Sequence, residues 1–372
     1  MRVLAVNQFY APDISATSQL LTQLCTDLVG QGLDVGVIAS RARYLGGDKL
    51  GARERLEGVD VVRPWSSSLG KGRMVHRLTD YLSFWVGAVA QAAAIRRPDV
   101  ILALSTPPMI AFGAALVAKA RGIPLVTWVQ DVYPDVAVAF GLFSEHHPAS
   151  MALGALGRVA HGISCRSVVL SEGMARRVLA QGQRPERVRV IANWADGRAI
   201  RPVRSEDNSF RAAHDLQGRF VVLYSGNLGV GHDVATLIEA ARLLEPSHPE
   251  VLLLFIGQGG RRQEAERLAA GCSNVRFLPY QPVETLAQSL SAGDVHVASL
   301  REDLAGLLVP SKLYGVMAAG RPLLYVGPEE CEVARVVRDH DIGWTGRPGR
   351  AAELARAIAR AATEPGWAEE RG

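Results

Sequence analysis

Apolar residues in this chain fall into short unbroken runs, separated by longer stretches with helical spacing. In the first half the runs are Val3-Val6, Val35-Ala39, Val59-Val62, Val100-Leu104, Leu125-Val129, Val168-Leu170 and Val188-Ile191. Most are continuous and rich in Val and Ile, the pattern of strands covered on both faces in a parallel sheet. Between them, Leu20-Val29, Ile110-Arg121 and Glu172-Gln181 have the spacing of helices. This strand–helix–strand repetition predicts a doubly wound α/β domain. The pattern restarts at Phe220-Tyr224 and continues through Leu252-Ile256, Val275-Leu278, Val295-Ala298 and Leu323-Val326. The polar stretch from Pro202 to Gly218 suits a linker. We therefore expect a Rossmann-like domain over 1–200, a linker over 201–217, a second Rossmann-like domain over 218–350, and a C-terminal helix and tail over 351–372. Ligands of open α/β sheets bind beyond the carboxyl ends of the strands. Two such domains facing each other predict a cleft between those ends.

Composition narrows the classes. The chain has 372 residues, 48% hydrophobic and 21% charged, which is enough for two cores and argues against disorder. A net charge of +4 is too thin a surplus to predict nucleic-acid binding. Cys25, Cys165, Cys272 and Cys331 are scattered and form no C-x-x-C. That argues against a disulfide framework and a Cys/His metal site, and for a reducing cytoplasm. The apolar run after Arg2 is too short for a signal peptide, and no run reaches the ~18 residues of a membrane span.

Several turns carry candidate chemistry. Phe220 to Asp233 ends a strand in a loop with Gly226, Gly229 and Gly231, where main-chain N–H groups can approach a phosphate beside a helix start. It is neither a P-loop nor a clean G-x-G-x-x-G, and an ordinary tight turn would also fit. A second Gly-rich turn, Gly257 to Gly260, precedes Arg261 and could hold base or ribose. In Gly306 to Pro322, Pro310 suits a first helical turn and puts Ser311 and Lys312 at the helix start. A lysine there is unfavourable unless an anion is present. Ser15, Thr17 and Ser18 suit a capped helix start or a loop closing on phosphate. Asp131, at a strand's carboxyl end beside Gln130, suits a general base, an acceptor-orienting group or a structural cap. Residues 71–97 combine Lys71, Arg73, Arg77, Arg96 and Arg97 with an apolar stretch holding Phe84 and Trp85. A helix at a lipid interface and a core helix with a basic rim both fit.

These residues resemble the bacterial retaining glycosyltransferases of the GT-B fold, family-4-like enzymes of exopolysaccharide, capsule and O-antigen assembly. The resemblance rests on Gln8-Phe-Tyr-Ala-Pro12, Pro98-Asp-Val-Ile, Gln130-Asp-Val-Tyr-Pro134, Ile191-Ala-Asn-Trp-Ala-Asp196, Tyr224-Ser-Gly-Asn-Leu-Gly229, Asp294-Val-His-Val and, most specifically, Val309-Pro-Ser-Lys-Leu-Tyr-Gly-Val-Met-Ala-Ala-Gly-Arg-Pro322. It implies sugar transfer from a nucleotide-sugar donor, held mainly by the second domain, to an acceptor held mainly by the first. It also implies a polyprenyl-diphosphate-linked acceptor, a peripheral position on the inner face of the cytoplasmic membrane, and no cofactor or metal. Asp131 and Lys312 are then the expected catalytic residues. Ser15, Thr17, Gly226, Asn227, Gly229, His232, Gly257, Arg261, Tyr280, Glu302 and Ser311 are expected at the donor, and Gln130 and Asn193 at the acceptor or the cleft. The sequence departs from the broader family where Asn227 and His232 replace an Arg and a Lys. A pair of glutamates is also missing: the second position falls at Gly315, the first near Ala305 to Leu307, close to Glu302 and Asp303. A nucleotide-sugar epimerase of the same fold and a non-catalytic membrane-associated subunit are the competing readings. A dehydrogenase lacks its fingerprint here.

Overall fold

The computed structural model describes residues 1–70, 74–364 and 366–372. The chain divides after Ala192 into two units, each wound around its own sheet.

The first unit has strands β1 (Arg2–Val6), β2 (Asp34–Ile38), β3 (Arg53–Leu56), β4 (Val59–Val62), β5 (Val100–Leu104), β6 (Leu125–Val129), β7 (Arg166–Val169) and β8 (Val188–Val190). Its helices are α1 (Ala16–Gly30), α2 (Met74–Ala94), α3 (Ile110–Arg121), α4 (Asp135–Ala139), α5 (Pro148–Ile163) and α6 (Glu172–Ala180). The sheet order is β3-β4-β2-β1-β5-β6-β7-β8. All neighbours are parallel except β3, which runs antiparallel to β4 at the edge. β1 lies between β2 and β5, so its connections leave in opposite directions and open a crevice at its carboxyl end. The core is the apolar strand runs packed under helices, with Leu4, Ile38, Ile101, Phe84, Ile110 and Ala115 all buried.

The second unit has strands β9 (Phe220–Ser225), β10 (Val251–Ile256), β11 (Val275–Leu278), β12 (Val295–Ser299), β13 (Leu323–Val326) and β14 (Gly343–Gly346), in the order β11-β10-β9-β12-β13-β14, all parallel. Its helices are α7 (Ser209–Ala213), α8 (Val234–Leu244), α9 (Arg262–Leu268), α10 (Leu286–Ser291), α11 (Lys312–Ala318), α12 (Glu332–Asp339), α13 (Ala351–Thr363) and α14 (Trp367–Arg371). Here β9 sits at the switch, between β10 and β12. Val222, Tyr224, Leu237, Phe255, Val297 and Ile358 share one core, which brings α13 of the tail into the unit.

Residues 201–217, expected as a linker, instead belong to the second unit. Arg321 donates to the carbonyls of Val203 and Ser291. Asn208 caps α7 and donates to the Gln288 carbonyl. The buried Arg211 ties α7 to Ala292, Leu216 and Arg219. Polar residues here serve as main-chain ties, which a hydrophobicity pattern does not register.

The helix within 71–97 has one face in the core and one exposed apolar face. Lys71 and Arg73 lie outside the described residues. Phe84, Ala88 and Ala92 of α2 are buried in the core, and Trp85 donates to the Met109 carbonyl at 3.0 Å and stacks on Phe112. The aromatic residues expected at a lipid surface therefore face inward. Arg97 donates to the Arg121 and Gly122 carbonyls, closing the end of α3. On the other face of α2, Val75, Leu78, Leu82 and Val86 are exposed at helical spacing. Among the described residues, no helix is long and apolar enough to cross a membrane.

Candidate active site

In the second unit the chain leaves β9 at Ser225 and turns through Gly226 to His232 before α8. The turn after β10, Gly257 to Gly260, packs directly against it. Gly226 N–H donates to the Ile256 carbonyl, Leu228 N–H to Gln258, and Arg261 N–H to Leu228. The two turns come so close that a Cβ at Gly257 (φ +140°) would overlap the Gly226 carbonyl oxygen, and one at Gly259 (φ +155°) that of Leu228. Only glycine meets both demands. The Asn227 side chain is wedged between Gly229 and Gly259.

Lys312 reaches this turn from the first position of α11. Its Nζ donates to the Asn227 carbonyl at 3.2 Å and to His232 Nε2 at 3.2 Å. It also stands 4.7 Å above the centre of the Tyr224 ring, a favourable place for a cation. A Cβ at Gly226 would come within 3.2 Å of Lys312 Cε, so that glycine leaves room for the lysine stem. Among the described residues, no carboxylate lies within ion-pair distance of Nζ. Loss of solvent pushes the ammonium down to about 7. Tyr224 is fully buried and donates to the Asn227 carbonyl at 2.9 Å. Burial, with a smaller effect of Tyr280, holds its phenol neutral.

His232 is fixed as sharply. Its Nδ1 faces the Ser299 carbonyl at the end of β12. A carbonyl can only accept, so Nδ1 carries the proton and Nε2 presents a lone pair to Lys312. Burial, then the Lys312 charge, push the imidazole down to about 3, so it is neutral at any ordinary pH.

Other expected donor residues are arranged differently. Arg261 is paired with Glu264 through two nitrogens and donates to the His232 carbonyl, so it braces the turn and its charge is already matched. The start of α8 is occupied by the Asp233 carboxylate, which accepts from Thr236 N–H and competes with any phosphate there. Ser311 is in helical conformation and makes no side-chain cap, and Pro310 precedes it, outside the helix. Glu302 is exposed in a single 3₁₀ turn, and Asp303 pairs with Arg301. Tyr280 is half-buried beyond β11. Asn193 is buried, with its backbone facing the Tyr314 hydroxyl.

In the first unit, the β1–α1 turn is held by side chains. Asp13 accepts from Ser15 N–H at 2.9 Å and from Tyr44 N–H at 2.6 Å. Ser15 caps α1 by accepting from Ser18 N–H, and Thr17 lies in the first helical turn. Buried Arg63 donates to the Ala11 carbonyl and pairs with Glu54. After β6, the N–H groups of Gln130 and Asp131 both donate to Ser105 Oγ, at 3.0 and 3.1 Å. Desolvation pushes the Asp131 carboxyl up to about 6. Asp131, Tyr81 and Arg77 each lie close enough to act electrostatically on both Tyr44 and Tyr133. Asp131, Tyr133, Ser105, Thr127, His161 and Gln181 line a cavity of about 70 Å³.

Sequence reasoning missed Tyr224 as the floor under Lys312, Ser299 as the anchor of His232, and the Asp13–Tyr44 and Arg63–Glu54 ties. A tyrosine that closes a buried strand just before a Gly-rich turn was the one visible signal; the others depend on contacts across 9 to 67 residues.

Residues 219–364 match the family described as "Glycosyl transferases group 1", and residues 17–194 match "Glycosyl transferase 4-like domain". The chain is built of two glycosyltransferase domains. The relatives agree. A Pseudomonas aeruginosa glycosyltransferase, WbjE, is 28% identical over 77% of this chain and 72% of its own. WcaI of Escherichia coli K12, named for colanic acid biosynthesis, is 27% identical over 86% of this chain and 82% of its own. Among solved structures, Anabaena HepE in complex with UDP-glucose superposes with a TM-score of 0.71 at 17% identity, covering 99% of this chain and 91% of that one. WaaG, a glycosyltransferase involved in lipopolysaccharide biosynthesis, gives 0.72 at 18%, covering 99% and 94%. These neighbours are GT-B proteins, and the two glycosyltransferase domains here share that fold.

Proposed function

We propose that this glycosyltransferase moves a hexose, with retention, from a nucleotide sugar to a polyprenyl-diphosphate-linked glycan in cell-surface polysaccharide assembly. The carrying observation is Lys312, an amine held by a carbonyl, an imidazole and a ring face, with no carboxylate beside it among the described residues, at a turn built from glycine. When protonated, such a group lacks a counter-charge, and a diphosphate supplies one. WbjE and WcaI, by their names, support the reaction class and its setting in polysaccharide assembly.

In this reading the diphosphate lies along Gly226 to Gly229 with Lys312 on its oxygens. As the bond from the sugar's anomeric carbon to phosphate breaks, charge grows on the leaving oxygen, and Lys312 stabilises it more in the transition state than in the ground state. No metal is required for that step. The acceptor hydroxyl, oriented by Asp131, forms the new bond on the face the leaving group departs from, and its proton passes to the departing phosphate oxygen. Asp131 suits this role because a carboxyl at about 6 is ionised at neutral pH yet remains a strong acceptor.

A lipid-linked acceptor lies at a membrane. We assign Val75, Leu78, Leu82 and Val86 of α2 to the cytoplasmic bilayer surface. The deciding experiment is nucleoside diphosphate release from a panel of nucleotide sugars, with and without membrane-extracted lipid-linked glycan. Release that depends on the acceptor, survives EDTA and yields the retained anomer supports this function. Donor binding without turnover on any acceptor points to a non-catalytic subunit, and acceptor-independent conversion of the sugar to an epimerase.

A further inference from the structure

The contacts of Lys312 also count protons. A neutral amine has two N–H groups, and here two acceptors face it: the Asn227 carbonyl and His232 Nε2, each at 3.2 Å. The amine is thus fully matched without a third proton. A protonated Nζ has one N–H left over, and nothing among the described residues supplies an anion for it. His232 can serve as an acceptor only because its other nitrogen is tied to Ser299, 67 residues away. Its ring also stands edge-on to Tyr224, with centroids 5.8 Å apart, so it has no freedom to turn over.

We propose that His232 is a positioning residue: its neutral ring, locked with the proton on Nδ1, holds Lys312 Nζ on the Gly-rich turn so that an arriving diphosphate is bound together with one proton. The charge on Lys312 is then created by the ligand it serves. In the empty site the amine rests on neutral partners and needs no counter-ion. The titratable and charged groups around this spot are Tyr224 and Tyr280 on the sheet side, and Arg261 from the start of α9, whose charge reaches His232 and is matched by Glu264 and Asp233. None is a carboxylate in contact with Nζ. The fall of the ammonium to about 7 on desolvation has the sign this requires: near pH 8 the free site is mostly neutral. This inference rests on the donor reading above.

The test uses the whole chain and UDP, whose phosphates are already ionised at pH 8. Calorimetry in HEPES and in Tris at that pH gives the protons taken up on binding. Wild type is expected to take up close to one. Lys312→Arg is expected to bind with no uptake, because its guanidinium is always charged. His232→Phe keeps the ring against Tyr224 and removes both nitrogens. Its affinity for UDP is expected to fall about tenfold, and His232→Gln, which restores an acceptor, to recover part of that loss. Imidazole ¹⁵N shifts, which need no ligand, are expected to report an unprotonated Nε2 on His232 from pH 5.5 to 8. UDP bound by His232→Phe with wild-type affinity and wild-type proton uptake overturns this proposal and leaves the donor reading standing. So does a His232 that titrates in that range or carries its proton on Nε2. Wild-type UDP affinity in Lys312→Ala, or no nucleoside diphosphate bound by the wild type, overturns the donor reading and this proposal together.

Discussion

At the β9 end of the second unit the walls are main chain: Gly226, Gly257 and Gly259 let two turns touch through their carbonyls, and one lysine stands over them. At the β1 and β6 ends of the first unit the walls are side chains: Asp13 gathers Tyr44 and Ser15, and Ser105 gathers the N–H groups of Gln130 and Asp131. Both crevices open at a switch point of a parallel sheet, so topology is not what separates them. Their chemistry separates them. A diphosphate is compact and strongly charged, and close main-chain approach with a single cation suits it. A sugar hydroxyl is neutral and directional, and it is recognised by carboxylates and phenols at fixed angles. The same contrast governs tolerance: a Cβ is forbidden at two positions of one crevice, whereas the other depends on which side-chain oxygen is present.

That contrast can be broken at either end. The largest effect is expected for Asp131→Asn, which keeps the shape and removes the acceptor charge. In steady-state kinetics kcat/KM should drop by ~10²–10⁴ with donor affinity unchanged; near-native turnover would move acceptor activation elsewhere. Lys312→Ala should lower kcat/KM by ~10²–10³ with the circular dichroism spectrum intact, and Lys312→Arg should keep part of the activity. The two walls also differ in stability. Gly257→Ala combines a positive φ with overlap on Gly226, and denaturant unfolding should register a loss of about 3 kcal/mol. Gly260→Ala, where the new atom meets only Val230 at 3.8 Å, should stay within ~0.5 kcal/mol. Equal losses at 257 and 260 would deny the close approach of the turns.

A smaller effect is expected on α2. Leu82 is 55% exposed, so Leu82→Asp should fold normally and float with anionic liposomes about tenfold less than wild type. Unchanged flotation would remove this face from the membrane. The smallest effect is one of pH. A carboxyl raised to about 6 is protonated below that value, so with donor saturating, where Lys312 is already charged, kcat/KM for the acceptor should be about fourfold lower at pH 5.5 than at 7.5. An acid limb near 4, or one that persists in Asp131→Asn, would uncouple the profile from this residue.

The fold was legible where burial is two-sided. Twelve of the strands coincide with the apolar runs, most plainly β10 and β13, which are buried throughout and have no polar position to blur them. The two missed strands sit at sheet edges: β3 reads Arg-Glu-Arg-Leu and β14 Gly-Trp-Thr-Gly. Neither has an apolar run, and each is recruited by its neighbour's free hydrogen-bonding groups. Of the site, Lys312 and Asp131 stood out because a lysine at a helix start and a carboxylate at a strand's end are each locally costly or exposed. The imidazole tautomer was illegible: it depends on Ser299, which only the pairing of β12 beside β9 brings to His232. The pairing of Arg261 was also illegible, because an arginine next to a Gly-rich turn looks free until Glu264, one helical turn on, is seen to hold it.

The antiparallel strand β3 gives the first unit one property that neither crevice requires. A parallel sheet ending at β4 would present Val59, Val61 and Val62 beside a row of unsatisfied N–H and C=O groups, a template for another chain to pair with. Instead the hairpin folds back and ends the sheet in Arg53, Glu54 and Arg55, while the opposite border stops after three residues with Arg189 at its centre. The charged hairpin thus acts as a guard against fibril-like stacking, and replacing Arg53 and Arg55 by valine, which leaves the Glu54–Arg63 pair in place, would be expected to leave a protein that folds but precipitates.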